Sequence, residues 1–272
     1  MKIGQIGNGF VGNALHKSFN IKGLQTIIYD KFQRIGSIKS VIDSDIVFLC
    51  LPTPYSREIG FVLSAIEENL EKLSKLKYKG LCVIKSTVTP GTTEALSKKY
   101  NLNMAHNPEF LTERTAFEDF HYQNHIVLGK TTDTLGFDSL ILLYKKLYPD
   151  AKISVCTSDE SEAMKLFCNN FYAAKVMIFN EFYDLCVKTK MDFEKVKSLM
   201  LANEWINPMH TRVPGPDGRM GFGGNCFVKD THALVSHMID NKSLSRVFEA
   251  VVSERNELRD DLTNVIGSGP KK

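Results

Sequence analysis

Apolar residues in the first half of the chain fall in short continuous runs bounded by glycine, proline or polar clusters. The runs Ile3 to Ile6, Leu24 to Tyr29, Asp45 to Leu51, Leu81 to Ile84, the stretch near Leu102 to Ala105, His125 to Gly129 and Lys152 to Val155 read as strands. Unbroken apolar runs of this length belong to strands covered on both faces. Between them, segments through Ala14, Leu15 and Phe19, through Ile66, Leu70 and Leu73, and through Leu140, Leu142 and Leu147 follow a helical period. Strands alternating with helices predict an α/β layer, a doubly wound and mostly parallel sheet that ends near Cys156.

The pattern then changes. No proline or glycine occurs between Ser158 and Asn207, and Thr157 with Glu160 forms a capping box that opens a long helix. Leu166, Ala173, Ala174, Ile178 and Leu185 recur at helical spacing, and Phe167, Phe171 and Phe182 widen the apolar surface, so this helix is expected to carry a domain or dimer interface. Asp192 reads as the N-cap of a further helix that ends before Asn207-Pro208, and a loop from Met209 to Met220 follows. After Asp230 come two more helical patterns, the second through Leu244, Val247, Val251 and Leu258. The expected organisation is an N-terminal sheet domain over residues 1–156, an all-helical domain over 157–262, and a disordered tail over 263–272.

Composition narrows the partners. The 272 residues are 43% hydrophobic and 24% charged, as in a soluble globular protein. The 34 basic and 31 acidic residues are interspersed, which leaves no basic stripe for nucleic acid or an anionic membrane and favours a small-molecule partner. Cys50, Cys82, Cys156, Cys168, Cys186 and Cys226 show no Cys-x-x-Cys spacing, so neither a zinc site nor a disulfide framework is implied. No apolar run approaches the roughly 18 residues of a membrane helix, and the expectation is a cytoplasmic protein.

The first turn carries candidate chemistry. Gly7-Asn8-Gly9-Phe10-Val11-Gly12 is G-x-G-x-x-G with a strand before it and a helix after. The first glycine makes the turn, the second admits a pyrophosphate close to the backbone, the third lets helix pack on strand, and the helix N-terminus faces the anion. Asp30, about 20 residues further on, is placed for a ribose 2′-hydroxyl, which favours NAD over NADP and a Rossmann-type sheet. The competing reading is a tight turn and nothing more. Pro52-Thr53-Pro54 leaves a rigid loop at the carboxyl edge of the sheet, where ligands sit in open parallel sheets. After the next strand, Thr89 or Thr92 is expected to N-cap a helix while Thr87 lies nearer that edge. Glu109 and Glu113 follow Asn107-Pro108 and would share a face if the stretch were helical; their location favours a general base or substrate contact over solvated carboxylates.

Two features of the second half join them. Lys165 and Asn169, four apart on the long helix, point the same way and could polarise a substrate oxygen, against the alternative of a solvated charge. In Gly221-Phe222-Gly223-Gly224-Asn225-Cys226-Phe227-Val228-Lys229-Asp230, three glycines lead into a thiol, with Lys229 placed to raise its thiolate fraction. A covalent site and a glycine turn before a core-filling cysteine both remain open on this decamer.

Gly7 to Gly12, Pro52-Thr53-Pro54, Ser86-Thr87-Val88, Asn107-Pro108-Glu109-Phe110-Leu111, Lys165 with Asn169, Asn180-Glu181 and Gly223 to Asp230 together resemble the UDP-glucose/GDP-mannose dehydrogenase family, in the family's order and over nearly the whole chain. The resemblance implies a nucleotide-sugar 6-dehydrogenase that oxidises a primary alcohol to a carboxylate with two NAD+. It assigns Cys226 to a thiohemiacetal and thioester, Lys165 and Asn169 to the oxyanion, Asp230 and Thr87 to water and proton transfer, and Glu109 to thioester hydrolysis. It further implies cofactor contacts from Leu51, Pro52, Thr53, Ser86, Thr87, Glu113 and Cys226, and sugar contacts from Phe110, Leu111 and the loop Met220, Gly221, Phe222, Gly223 and Gly224. In the family a second α/β domain follows the helix after the cysteine motif, and this sequence stops where it would begin. The expectation is a homodimer through the long helix or a separate C-terminal-domain subunit. Rival readings are a two-domain β-hydroxyacid dehydrogenase, which needs no thiol, and a non-catalytic NAD-binding module.

Overall fold

The computed structural model describes residues 1–266. In chain order they form β1 (Ile3–Ile6), α1 (Phe10–Ile21), β2 (Thr26–Tyr29), β3 (Ile46–Leu49), β4 (Tyr55–Ser56), β5 (Gly60–Phe61), α2 (Ser64–Lys75), β6 (Leu81–Ile84), α3 (Thr92–Tyr100), β7 (Asn103–His106), α4 (Ala116–His121), β8 (His125–Lys130), α5 (Phe137–Leu147), β9 (Lys152–Thr157), α6 (Ser158–Lys188), α7 (Phe193–Leu201), α8 (Phe227–Asp240), α9 (Arg246–Leu258) and β10 (Val265–Ile266). They make two compact units: residues 1–53 with 62–165, and residues 54–61 with the described chain from Leu166 onward.

The first unit is built on a seven-stranded sheet of order β2-β1-β3-β6-β7-β8-β9. The strands are parallel except where β8 meets β7 antiparallel, because β7 and β8 are joined by a loop and the short α4 rather than by a full crossover helix. The chain leaves β1 for β2 on one side and returns to β3 on the other, so the strand order reverses beside β1, and crevices at such points bind ligands. Alternation across the pleat explains why the strands are apolar throughout. Ile46 and Phe48 of β3 enter a core with Phe19, Phe120 and Tyr144, whereas Val47 and Leu49 enter the opposite core with Ile66, Leu70 and Leu73. Each such buried side chain contributes about 1.5–3 kcal/mol of transfer free energy.

Two local expectations are corrected. Neither Thr89 nor Thr92 caps α3: its N-cap is Gly91 in the left-handed region at φ 92°, and the exposed amides are satisfied by Glu162, far along the chain. Glu109 and Glu113 do not share a helix face. Thr112 between them is extended at φ −93° and ψ 132°, and the helical turn begins only at Glu113.

α6 begins in the first unit with the expected capping box, Thr157 N–H donating to Glu160 at 2.9 Å and Glu160 N–H to Thr157 at 3.2 Å, and continues into the second. From Leu166 its apolar residues divide. Ala173 and Met177 pack with Phe222, Val228 and Val251, while Phe167, Phe171, Ile178, Phe182 and Leu185 stay exposed. Asp192 caps α7 through the Lys195 amide, as expected. α8 starts at Phe227, earlier than its pattern suggested, and Leu244 precedes α9 as an exposed residue. This unit is not purely helical. β4 and β5 form a hairpin, and β10 pairs parallel with β4 through Val265 and Tyr55. Strands of two residues give no periodic signal, which is why they escaped the sequence pattern. Val265–Ile266 lie in the segment assigned to a disordered tail; the rest of that tail, residues 267–272, lies outside the described residues.

Candidate active site

In the first unit the glycine turn has the backbone its sequence demands. Gly7 sits at φ +91°, and a Cβ there would come within 2.3 Å of the Cys50 carbonyl; a Cβ on Gly12 would lie 2.2 Å from the Gly7 carbonyl, so the helix packs against the strand as only glycine allows. A Cβ on Gly9 would meet nothing within 4 Å, which leaves open space over the turn for an incoming group. Asp30 ends β2 and is held in place: its carboxylate accepts from Asn8 N–H at 2.7 Å, Phe32 N–H at 2.9 Å and Gln33 N–H at 2.8 Å. The neighbouring loops are stitched together, the Thr53 hydroxyl donating to the Thr87 carbonyl at 2.8 Å and the Ser86 hydroxyl to the Leu51 carbonyl.

Glu109 follows β7. Its carboxylate accepts from the Leu111 amide at 2.6 Å and lies 3.2 Å from Lys165 Nζ, with both side chains buried. The Lys165 ammonium also stands 5.5 Å from the Phe110 ring centre, and that ring stacks on His125. Glu113 is exposed on the turn beyond. The opening turn of α6, which carries Lys165, is fixed by Glu162. That buried carboxylate accepts from the Gly91 amide at 2.7 Å and from the amide and hydroxyl of Thr93, and burial pushes its acid up to about 7 against those bonds. His106 lies between Ser161 and the Ser86 carbonyl, and burial lowers its pKa to about 3, so it is neutral.

In the second unit Cys226 is the N-cap residue of α8 and partly exposed, at the helix end that favours an anion. Lys229, which the sequence sets near the thiol, has partners of its own. Its amine donates to Asp230 Oδ1 at 2.6 Å and lies 4.8 Å from the Phe61 ring centre. Asp230 is fully buried; Asn169 Nδ2 donates to its other oxygen at 2.6 Å, and Asn170 Nδ2 to its carbonyl at 3.1 Å. The glycine loop ahead of Cys226 is tied down as well. Gly221 N–H donates to Asn180 at 2.8 Å, and Arg255 Nε to the Phe222 carbonyl at 3.0 Å.

Residues 31–148 match the NAD binding domain of the UDP-glucose/GDP-mannose dehydrogenase family and residues 159–257 match its central domain. The chain belongs to that family. It is 35% identical over 221 residues to a UDP-glucose 6-dehydrogenase of Rickettsia prowazekii, an alignment that takes in 76% of this chain and 49% of the relative. The chain thus spans about half the length of the curated relatives it matches. Among solved structures, a UDP-glucose dehydrogenase from Pyrobaculum islandicum superposes with a TM-score of 0.82 at 24% identity, covering 94% of this chain and 68% of that one. A 3-hydroxyisobutyrate dehydrogenase from Mycobacterium tuberculosis superposes with a TM-score of 0.71 at 14% identity over 94% and 92% of the two chains, a likeness of fold alone.

In this family member the first unit gathers Gly7 to Gly12, Asp30, Leu51 to Thr53, Ser86, Thr87, Glu109 to Leu111 and Lys165, and the second gathers Asn169, Met220 to Gly224, Cys226 and Asp230. Lys85, Glu162 and the pair Arg255 and Arg259 were missed. Lys85 stood in plain view as a charge at the end of an apolar strand. Glu162 gave no local signal because its partners Gly91 and Thr93 are about seventy residues away, and the arginines reach Phe222 and Asp217 across 33 and 42 residues.

Proposed function

We propose that this chain supplies the NAD-binding and catalytic parts of a nucleotide-sugar 6-dehydrogenase. The observation that carries the reading is the buried ion pair of Lys165 and Glu109 directly after β7, in a unit whose glycine turn leaves room for a dinucleotide. A buried ion pair adds little net stability, so function is the better reason to keep one.

Two NAD+ bound in succession at the glycine turn and Asp30 would each supply a hydride acceptor, one for the alcohol carbon and one for the thiohemiacetal carbon. Lys165 and Asn169 stabilise the negative oxygen, as the alkoxide from which each hydride departs and as the oxyanion formed when sulfur or water adds to a carbonyl. Asp230, held by Lys229 and Asn169, orients water together with Thr87. Cys226 sulfur adds to the aldehyde carbon, and loss of hydride from the adduct leaves a thioester. Water then adds to that carbonyl, its proton passes to Glu109, and the carbon–sulfur bond breaks to return the thiolate. Met220 to Gly224 and the Phe110-Leu111 backbone hold the sugar, Asp30 the ribose, and Leu51 to Thr53, Ser86 and Glu113 border the cofactor. The exposed row Phe167, Phe171, Ile178, Phe182 and Leu185 is the surface through which a second copy would associate. A separate C-terminal-domain subunit is the other source of nucleotide contacts.

The test is NADH formation by the purified protein with a panel of UDP- and GDP-sugars, with and without such a subunit. Cys226→Ser should lower turnover at least about a hundredfold and stall as a covalent ester. Activity largely retained in C226S would point instead to a β-hydroxyacid dehydrogenase, whose fold this chain shares. NAD binding with no turnover of any sugar nucleotide would leave a binding module.

A further inference from the structure

Lys85 is the buried charge to which nothing above gives a role. It follows β6 immediately, its side chain is 2% exposed, and no ion pair of Lys85 occurs among the described residues. Its amine donates instead to Asn107 Oδ1 at 2.8 Å and stands 5.4 Å from the Phe120 ring centre. Taking an ammonium out of water without a carboxylate partner costs several kcal/mol. Burial accordingly lowers its pKa to about 8, opposed by Cys50 and Glu109 and reinforced by Lys165.

The recipient, Asn107, is a junction. Its oxygen also accepts from the Tyr144 hydroxyl of α5, its amide nitrogen donates to the Val127 carbonyl of β8 at 2.8 Å, and its backbone N–H donates to the Ile84 carbonyl of β6 at 2.9 Å. One residue is thereby fixed to three elements. After it comes Pro108, with its φ locked, and then Glu109. The path from the Lys85 amine to the Glu109 carboxylate is therefore one hydrogen bond and two stiff residues.

We infer that Lys85 is a positioning residue: through Asn107 it aims Glu109 at Lys165, and so at the thioester that Glu109 is proposed to hydrolyse. The charged and titratable groups packed around it are Cys50 after β3, His106 of β7, Tyr144 of α5, Lys165 of α6 and Glu109 itself. This inference rests on the dehydrogenase reading for its consequence but not for its geometry.

The experiment uses Lys85→Met, which fills the same apolar space over Phe120, with Lys85→Gln as the second variant should Met fail to fold. A crystal structure of the variant should place Glu109 about 1 Å or more from its present position, with the contact to Lys165 lost. In turnover, kcat should fall between roughly tenfold and a hundredfold while KM changes less than about twofold. An early burst of NADH should be followed by a stall, and intact-protein mass spectrometry should find an acyl group on Cys226. Tyr144→Phe, which leaves the Lys85 bond in place, should do neither. Glu109 unmoved, or hydrolysis as fast as in the parent, overturns the inference whatever happens to the melting temperature. If the parent protein itself forms no NADH, the dehydrogenase reading falls, and the position of Glu109 in the variant still decides whether Lys85 places it.

Discussion

In the first unit two lysines are buried: Lys165 lies 3.2 Å from the Glu109 carboxylate, and Lys85 donates to the amide oxygen of Asn107 with no ion pair of its own among the described residues. In the second unit Arg255 and Arg259 are buried as deeply but share their carboxylates generously. Asp261 accepts from Arg255 at 2.7 Å and from Arg259 at 2.9 and 2.7 Å, and Asp217 accepts from Arg259 at 2.7 Å. The arginine fork suits this bidentate pairing, and the result is a clamp: a Cβ on Gly223 would sit 2.4 Å from an Arg259 nitrogen, and Arg255 grips the Phe222 carbonyl. Charges paired this completely hold a loop still. Lys85, by contrast, is held through a hydrogen bond to one amide oxygen.

The contrast can be broken most forcefully at the clamp. Arg255→Met leaves Asp261 with Arg259 alone and strips the buried Phe222 carbonyl of its donor, and should cost about 1–3 kcal/mol in urea unfolding. A loss below about 1 kcal/mol would mean the clamp is ornamental. Next comes Glu162, whose acid is raised to about 7 chiefly by burial. The folded state then binds a proton more readily than the unfolded chain, so stability should decline as pH rises from about 4.3 to 7. Glu162→Gln should remove that slope, read from melting temperature against pH. The smallest effect is expected from Asp261, lowered to about 2 first by its hydrogen bond to Arg259. Its contribution is fully present above about 4 and lost as pH falls through about 2. Because the side chain is about a third exposed, 29%, solvent screens it and the drop should be no more than about 1 kcal/mol. Asp261→Asn should flatten that acid limb.

The same comparison marks what the sequence could tell. β3 and β6 were legible because alternate residues enter opposite cores, which leaves an unbroken apolar run. The glycine turn was legible because only glycine fits positions 7 and 12. Glu109, Lys165, Asn169 and Asp230 could be named from type and order, yet their bonds could not. That Glu162 caps α3 depends on tertiary placement that no local period encodes, and Asp261 joins two nearby arginines from beyond the end of α9, where the helical period no longer applies. Nor did the sequence show that Asp230 and Phe61 also engage the Lys229 amine.

The hairpin of β4 and β5 has a consequence for the order in which the protein can be made. Tyr55 N–H donates to the Asn264 carbonyl at 2.8 Å, and Val265 pairs with Tyr55 itself, so residues synthesised early wait for others made about two hundred positions later. During translation the large sheet can close once residue 165 has left the ribosome. The smaller body cannot close until Asp261 and Val265 emerge, and a nascent chain paused before them would expose an unpaired hairpin to any chaperone within reach.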